Sequence, residues 1–287
     1  MAFASADEVE QALRQEDYLA DRGLAVSLFL ALSMGRPLLL EGEPGVGKTE
    51  VAKTLSRLLA AELIRLQCYE GIDAAQALYE WDYAKQLLHA RTSDTKATDV
   101  GGLYTTDFLL ERPLLRAVRA GGRAVLLIDE LDRADDEFEA FLLEVLSDFQ
   151  VTIPELGTVQ AKTPPVVIIT SNRTRELHDA LKRRCLYHWI DYPSREREIE
   201  IIRVRVPGVE DSLARSVAGA VARLREMELA KPPGPAEAVD WTRALQLIGG
   251  NAVSEDGARD TLGWVLKNRD DLAYAYEHLA EVVSGET

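Results

Sequence analysis

Residues 42–49 read GEPGVGKT, and this segment constrains the fold more than any other part of the chain. It fills every position of a phosphate-binding loop, which is a glycine, four variable residues and then Gly47, Lys48 and Thr49. In such a loop backbone N–H groups turn inward around phosphate oxygens, and the N-terminus of the next helix adds partial positive charge. Lys48 can reach the β- and γ-phosphates, and the Thr49 hydroxyl can bind Mg²⁺. The segment therefore predicts a site for a nucleoside triphosphate with Mg²⁺.

The chain around this loop supplies the strand and the helix that the loop requires. Residues 37–40 form a short apolar run that ends before Gly42, which predicts a buried strand. Residues 50–59 place Val51 and Leu55 at helical spacing. A chance glycine turn with a surface lysine would require neither element, so the context favours a functional loop.

An acidic pair further along the chain supports this interpretation. Residues 124–128 read AVLLI, a continuous apolar strand that ends in Asp129 and Glu130. A carboxylate at the carboxyl end of a buried strand suits the Mg²⁺ side of a nucleotide site. We expect Asp129 to hold the metal, directly or through water, and Glu130 to polarise the attacking water. Without a phosphate loop the same pair would indicate only the start of a loop.

The formal net charge of the chain, −15, bears on its partners. Nucleic-acid backbones are bound through a basic surface, so this charge argues against nucleic acid as the main partner. Cys68 and Cys185 are the only cysteines, too few for a disulfide framework, and we expect two buried thiols. No apolar stretch reaches membrane-spanning length and residues 1–7 do not resemble a signal peptide, so we expect a cytoplasmic protein.

Apolar runs and amphipathic segments alternate along the first two thirds of the chain. Runs at 63–66, 165–170 and 187–190 predict further strands, and the helical segments between them predict an α/β fold, a parallel sheet with helices on both faces. Beyond residue 193 only helical spacing remains. We therefore divide the chain into an α/β nucleotide-binding domain, 1–193, and a small all-α lid domain, 194–287.

Four polar residues outside the loop could complete an ATPase site. Asn172 follows a predicted strand, where a short amide can hold the attacking water or the γ-phosphate, although it could equally be a turn asparagine. Arg183 and Arg184 could stabilise transition-state charge in a neighbouring subunit, or belong to a solvated basic run. Arg243 lies near the start of a helix that we expect Asp240 to cap, and could reach nucleotide or face solvent.

The order of these segments resembles that of an AAA+ ATPase module, and within that superfamily the chain resembles the MoxR family from about Tyr18 to Leu247. The long segment before Asp129, the predicted hairpin at 149–161 and Arg243 carry the second resemblance. Three further stretches resemble the subgroup associated with maturation of aerobic carbon monoxide dehydrogenase, namely 69–73, 79–83 and 129–135.

The resemblance implies a role for each matching residue. Those implied in catalysis are the Walker B glutamate Glu130, the first sensor Asn172, the arginine finger Arg184 and, as its alternative, Arg183. Those implied in nucleotide binding are Gly42, Glu43, Pro44, Gly45, Val46, Gly47, Lys48, Thr49, Glu50, Asp129 and the second sensor Arg243. The implied Mg²⁺ ligands are Thr49 and Asp129. Paired arginines followed by Cys185, where the family often has an aromatic residue, leave open which arginine is the finger.

The resemblance also implies a function. We expect Mg²⁺-dependent ATP hydrolysis by a ring-shaped homo-oligomer, a hexamer, that drives chaperone-like remodelling or metal-cofactor maturation of a client enzyme. A protein with a von Willebrand factor A domain is the implied partner and a metalloenzyme the implied client. An insert at 83–108 and the hairpin at 149–161 are the implied contacts with them.

Four other functions remain to be weighed. A nucleotide-gated switch with little turnover is the main alternative, and the intact Glu130 weighs against it because a pure switch needs no catalytic carboxylate. A small GTPase would carry an Asn-Lys-x-Asp motif, whereas residues 172–175 read NRTR, and no acceptor pocket for a small-molecule kinase is evident. A nucleic-acid remodeller is disfavoured by the acidic charge.

Overall fold

The computed structural model of the chain describes residues 3–92 and 100–284, and these form two compact units. The first unit consists of residues up to 41 together with 49–189, and the second consists of residues 42–48 together with 190 onward. The glycine loop at 42–48 thus belongs to the second unit. Across the described ranges, no helix is both long and apolar enough to cross a membrane.

A five-stranded sheet forms the centre of the first unit. The strands of the chain are β1 Leu38–Gly42, β2 Glu62–Gln67, β3 Tyr79–Trp81, β4 Leu109–Glu111, β5 Ala124–Asp129, β6 Gln150–Ile153, β7 Gly157–Gln160, β8 Val166–Ser171 and β9 Leu186–Ile190. The sheet order is β2-β5-β8-β1-β9, with parallel pairing of β2 to β5, β5 to β8 and β8 to β1. The α/β fold with a parallel sheet is therefore confirmed.

Helices precede and follow these strands. They are α1 Ala6–Gln15, α2 Arg22–Met34, α3 Lys48–Leu58, α4 Ala74–Leu78, α5 Tyr83–Thr92, α6 Pro113–Ala120, α7 Asp136–Asp148 and α8 Asp179–Lys182. Local side-chain and backbone chemistry determines where α2 begins and ends. The Asp21 carboxylate accepts the Leu24 N–H at the start of α2, and Gly35 ends that helix in the left-handed conformation.

One face of the sheet packs on α6 and α7. Leu39, Ile128 and Ile169 alternate with residues of the other face and cluster with Phe138 and Leu142 of α7. Burial of each such side chain contributes about 1.5–3 kcal/mol. This packing fixes the carboxyl ends of β1, β5 and β8 side by side, which is where the candidate site residues lie.

Two segments outside the sheet were predicted from the sequence, a hairpin at 149–161 and an insert at 83–108. Strands β6 and β7 pair antiparallel, which confirms the hairpin predicted at 149–161. The insert predicted at 83–108 begins with α5, and its residues 93–99 lie outside the described residues. Strands β3 and β4 flank this insert and pair antiparallel.

The described part of the second unit beyond β9 is helical. Its helices are α9 Arg195–Arg205, α10 Asp211–Glu226, α11 Pro235–Leu247, α12 Glu255–Thr261, α13 Arg269–Glu277 and α14 Leu279–Val283. Their core surrounds Trp241, which is fully buried and donates its indole N–H to Thr261 Oγ1 at 2.7 Å.

The predicted cap of the Arg243 helix is wrong. Helix α11 starts at Pro235, so Asp240 lies inside it rather than at its N-terminus. The physical reason is Pro235 itself, whose fixed φ and missing N–H suit the first helical position. Asp240 accepts from Arg243 instead, at 3.3 Å along the helix surface.

Candidate nucleotide site

The glycine loop has the backbone conformation of a phosphate cradle. It connects β1, which ends at Gly42, to α3, which begins at Lys48. Gly45 and Gly47 have φ of 81° and 97°, values that residues with a β-carbon rarely adopt. The buried Lys48 ammonium donates to the carbonyl oxygens of Gly42 at 2.6 Å and Glu43 at 2.7 Å, which holds the loop in this shape.

In the first unit, Asp129 is the centre of a hydrogen-bonded cluster at the carboxyl ends of the strands. Its side chain is buried at the end of β5. Its Oδ1 accepts from Thr49 Oγ1 at 3.0 Å and from Thr170 Oγ1 at 2.6 Å. Mg²⁺ prefers oxygen ligands and is usually held by one or two protein groups together with substrate phosphates. The Thr49 hydroxyl and the Asp129 carboxylate fit that requirement.

Two residues of β2 that sequence reasoning missed complete this cluster. Arg65 donates to Asp129 Oδ2 through Nε at 3.0 Å and Nη2 at 2.5 Å. Gln67 donates from Nε2 to Glu130 Oε2 at 3.1 Å. Both alternate with the buried Ile64 and Leu66, so their common face could have been read from the sequence. Their proximity to Asp129 depends on the pairing of β2 with β5, which the sequence does not specify.

We expect the Arg65→Ala variant to need less Mg²⁺ than the parent. The guanidinium and the metal are both cations and share one carboxylate, so removal of the guanidinium should lower the half-saturating Mg²⁺ concentration by about two- to fivefold, the effect of one partly exposed ion pair. ATP hydrolysis titrated with Mg²⁺ at fixed ATP measures this. An unchanged or raised Mg²⁺ requirement would show that Arg65 only orients Asp129.

Glu130 has a strained backbone and an accessible carboxylate. Its φ of 55° and ψ of 51° are left-handed, and its N–H donates to Thr170 Oγ1 at 2.9 Å. The carboxylate is one third exposed and contacts Arg133 Nε at 3.1 Å. Left-handed residues other than glycine cost energy and concentrate at functional sites. A carboxylate oriented in this way can accept a proton from a water molecule.

Asn172 follows β8 directly and is half-buried. Among the described residues, its side-chain amide has no hydrogen-bond partner. The next residue, Arg173, has φ of 56° and donates its N–H to Ser171 Oγ at 3.1 Å, which turns the chain away from the strand. The amide is therefore available to bind a ligand.

The two candidate finger arginines are both exposed after α8. Arg184 donates from Nη1 to the Leu143 carbonyl oxygen at 2.7 Å, which orients its guanidinium. Within the part of the chain that is described, the Arg183 guanidinium has no hydrogen bond or ion pair. Both are thus placed on a surface that a neighbouring chain could reach.

Two predicted nucleotide-binding side chains are engaged elsewhere. Glu50 forms ion pairs along α3 with Lys53 at 3.4 Å and Arg57 at 3.7 Å. Arg243, in the second unit, donates from Nη2 to the Arg205 carbonyl oxygen at 3.0 Å. Each would have to leave these exposed contacts to bind nucleotide through its side chain.

Both cysteines are buried, as expected. The pKa of each thiol is raised to about 12, mainly by burial, and for Cys68 the neighbouring Asp129 carboxylate contributes to that rise. The Cys68 N–H donates to the Asp129 carbonyl oxygen at 2.9 Å. Since the thiolate is the reactive form, neither cysteine is a nucleophile at neutral pH.

Comparison with known proteins identifies the family of this chain and proteins that resemble it. Residues 37–185 match the family described as AAA domain (dynein-related subfamily). Uncharacterized protein YehL of Escherichia coli K12 is 27% identical over 192 residues, which cover 64% of this chain and 48% of YehL. Uncharacterized protein SAB1265c of Staphylococcus aureus RF122 is 28% identical over 166 residues, 55% of this chain and 57% of that protein. The chain thus spans about half the length of these curated relatives.

Solved structures of RuvB from Thermotoga maritima have a similar fold. The structure of one point mutant of RuvB has a TM-score of 0.53 at 19% identity, covering 94% of this chain and 73% of RuvB. The structure titled RuvB Holliday junction branch migration motor has a TM-score of 0.51 at 19% identity, covering 92% of this chain and 71% of RuvB. At this identity the likeness concerns the fold alone.

Proposed function

The chain belongs to the AAA domain family, dynein-related subfamily, and from this premise we propose that it is a Mg²⁺-dependent ATPase that works as a hexameric ring in the cytoplasm. Residues 1–193 are its nucleotide-binding domain and residues 194–287 its helical lid. The geometry around Asp129 supports the proposal most directly. The Thr49 hydroxyl donates to the Asp129 carboxylate at the carboxyl ends of the strands, next in sequence to a formed phosphate loop. Thr170 joins the two acidic residues, because its hydroxyl donates to Asp129 and accepts the Glu130 N–H.

Each of these groups has a role in the hydrolysis of ATP. The loop N–H groups and the Lys48 ammonium bind the β- and γ-phosphates and place the phosphoryl group for in-line attack. Bound Mg²⁺, held by Thr49 and Asp129, would supply positive charge that neutralises the phosphate oxygens. Glu130 accepts the proton of the water that attacks the γ-phosphorus, while the bond to the β,γ-bridging oxygen breaks and ADP leaves.

Two further groups act on the transferred phosphoryl. The Asn172 amide holds the attacking water or a γ-oxygen, and its lack of a partner among the described residues leaves it able to do so. Arg184 of a neighbouring subunit supplies positive charge as the bridging bond breaks. Because this charge comes from a second chain, an isolated subunit should turn over ATP very slowly.

We infer that the free energy of ATP hydrolysis is used to act on a client protein. The resemblance to the MoxR family supports an adaptor with a von Willebrand factor A domain and a metalloenzyme client whose cofactor is matured or whose fold is remodelled. The insert that begins with α5 and the hairpin of β6 and β7 are the elements that would contact them. The net charge of −15 weighs against nucleic acid as the client.

ATP turnover per subunit, measured over a wide range of protein concentration with Mg²⁺ present, tests the proposal. We expect activity per subunit to rise with concentration and then level off, in parallel with ring assembly measured by sizing. Lys48→Ala is the control and should be inactive at every concentration, because its loop lacks the charge that binds the phosphates.

Two results would contradict the ring ATPase. Turnover that is independent of concentration in a protein that sizes as a monomer would show that each subunit is self-sufficient. ATP that stays bound and unhydrolysed in the assembled protein, with the adaptor present, would favour the nucleotide-gated switch.

A further inference from the structure

Within the second unit, the N-terminus of α11 lies directly on the phosphate loop. The Ala236 N–H donates to the Gly45 carbonyl oxygen at 3.3 Å. The backbone of Gly234 is closer still, since a β-carbon there would stand 2.9 Å from the Pro44 carbonyl oxygen and 3.0 Å from Gly45 Cα. Real β-carbons rarely come so near to other atoms. The two backbones therefore touch only because residue 234 is a glycine.

The conformation of Gly234 does not itself require glycine. Its φ of −87° and ψ of 176° are extended and open to any residue. The Glu237 carboxylate accepts the Gly234 N–H at 3.0 Å, and a β-carbon at residue 234 would also stand 3.0 Å from Glu237 Oε2. That oxygen ends a flexible side chain, whereas Pro44 and Gly45 would be met at backbone atoms. The contact with the phosphate loop is therefore the one that a side chain at residue 234 would disrupt.

A buried ion pair holds the segment that carries Gly234. Arg225 binds Glu198 through Nη1 at 3.0 Å and Nη2 at 2.6 Å, with the Arg225 side chain 12% exposed and Glu198 fully buried. The remaining Arg225 donor, Nε, binds the Pro233 carbonyl oxygen at 2.7 Å. Tyr192 stacks on the Arg225 guanidinium at 4.6 Å and donates to the Pro232 carbonyl oxygen at 3.4 Å.

Buried charged pairs add little to stability by themselves, but they hold geometry firmly. Here one guanidinium joins α9, α10 and Pro233, the residue before Gly234. Arg243, to which the sequence resemblance gave the nucleotide contact of this helix, lies about two turns further along α11 and is bonded to Arg205. The contact between helix and loop is made instead by residues 234–236.

We propose that residues 232–236 form a latch on the phosphate loop, with Gly234 and Arg225 as its positioning residues. The latch fixes the Pro44–Gly45 backbone in the shape that binds phosphates, so that less order has to be imposed when nucleotide binds. This inference rests on the proposed function, because it assumes that the loop binds nucleotide.

Gly234→Ala in the full chain tests the latch. The added methyl must push the α11 N-terminus away from Gly45, and we expect the Kd for Mg²⁺ and fluorescent ADP to rise about tenfold. The KM for ATP should rise in parallel while kcat at saturating ATP stays within about threefold, since the catalytic groups are untouched. Gly263→Ala is the matched control, because a β-carbon there would meet no atom within 4 Å.

Each outcome separates the latch from the proposed function. Loss of ADP binding in Lys48→Ala with a raised Kd in Gly234→Ala supports both. Equal Kd in Gly234→Ala and the parent, with binding lost in Lys48→Ala, overturns the latch alone. Tighter binding in Gly234→Ala also overturns it, because the contact would then compete with nucleotide. Unchanged binding in Lys48→Ala would instead remove the proposed function.

A second variant distinguishes an effect on nucleotide binding from a general loss of stability. Arg225→Lys keeps a positive charge beside Glu198 but cannot bind both Glu198 oxygens and Pro233. It should raise the Kd for ADP in the same direction as Gly234→Ala. A variant that lowers only the melting temperature, with Kd unchanged, would show that Arg225 supports the helices and not the loop.

Discussion

Arg184→Ala is expected to lower kcat of the assembled protein by about 10³-fold or more, the range over which an arginine finger accelerates phosphoryl transfer. The guanidinium would neutralise charge on a neighbour's γ-phosphate, and its Nη1 donates to the Leu143 carbonyl oxygen of its own chain. Steady-state ATPase at concentrations where the ring is intact measures the loss. Arg183→Ala is the matched control, since it removes the same group from the adjacent exposed position and should cost less than about threefold.

The proposed finger would act on another subunit, which permits a complementation test. Arg184→Ala keeps Glu130, and Glu130→Gln keeps Arg184, so a mixed ring contains some sites in which both groups are intact. We expect two inactive variants to regain activity when mixed, whereas the double variant should not rescue either one. No recovery in mixed rings of confirmed composition would place both groups on the same subunit's site. A large loss in Arg183→Ala with none in Arg184→Ala would make Arg183 the finger.

Glu130→Gln is expected to lower kcat by about 10²–10⁴-fold, the contribution of a general base, while ATP binding is retained. Glutamine has the same shape and keeps an oxygen that can accept from Gln67 and Arg133. The backbone bond from residue 130 to Thr170 does not involve the side chain. The substitution removes the negative charge, and with it the capacity to take a proton.

Single-turnover product analysis together with nucleotide binding separates the two effects. Glu137→Gln is a suitable control, because the same substitution is then made at an exposed residue of α7 nearby in the sequence. Equal turnover in Glu130→Gln and the parent would remove Glu130 as the base. Loss of ATP binding in Glu130→Gln would show instead that the carboxylate holds the site together.

Much of the fold could be predicted because its signals are local. The apolar run before Asp129 is a buried strand, and the glycine loop joins a strand to a helix as its pattern requires. The cap expected at Asp240 is wrong because α11 already begins at Pro235, whose fixed φ suits the first helical position. The roles of Asn172 and of the three candidate arginines, Arg183, Arg184 and Arg243, stay predictions.

Two of the partners of Asp129 could not be predicted. Arg65 and Thr170 lie far from it in the sequence, on strands whose order in the sheet no local pattern specifies. The alternation of residues along a β-strand shows which of them share a face. Which strands lie beside it depends on the packing of the whole unit.

The sequence by itself determined the chemistry of the loop and the class of the fold, because glycine spacing and apolar periodicity act over a few residues. Only the tertiary structure decided which side chains meet. It placed Arg65 on Asp129 by setting β2 beside β5, and it placed Gly234 against Gly45 by packing α11 on the loop. Contacts between residues so distant along the chain arise from close packing, in which a single β-carbon decides whether two backbones can touch.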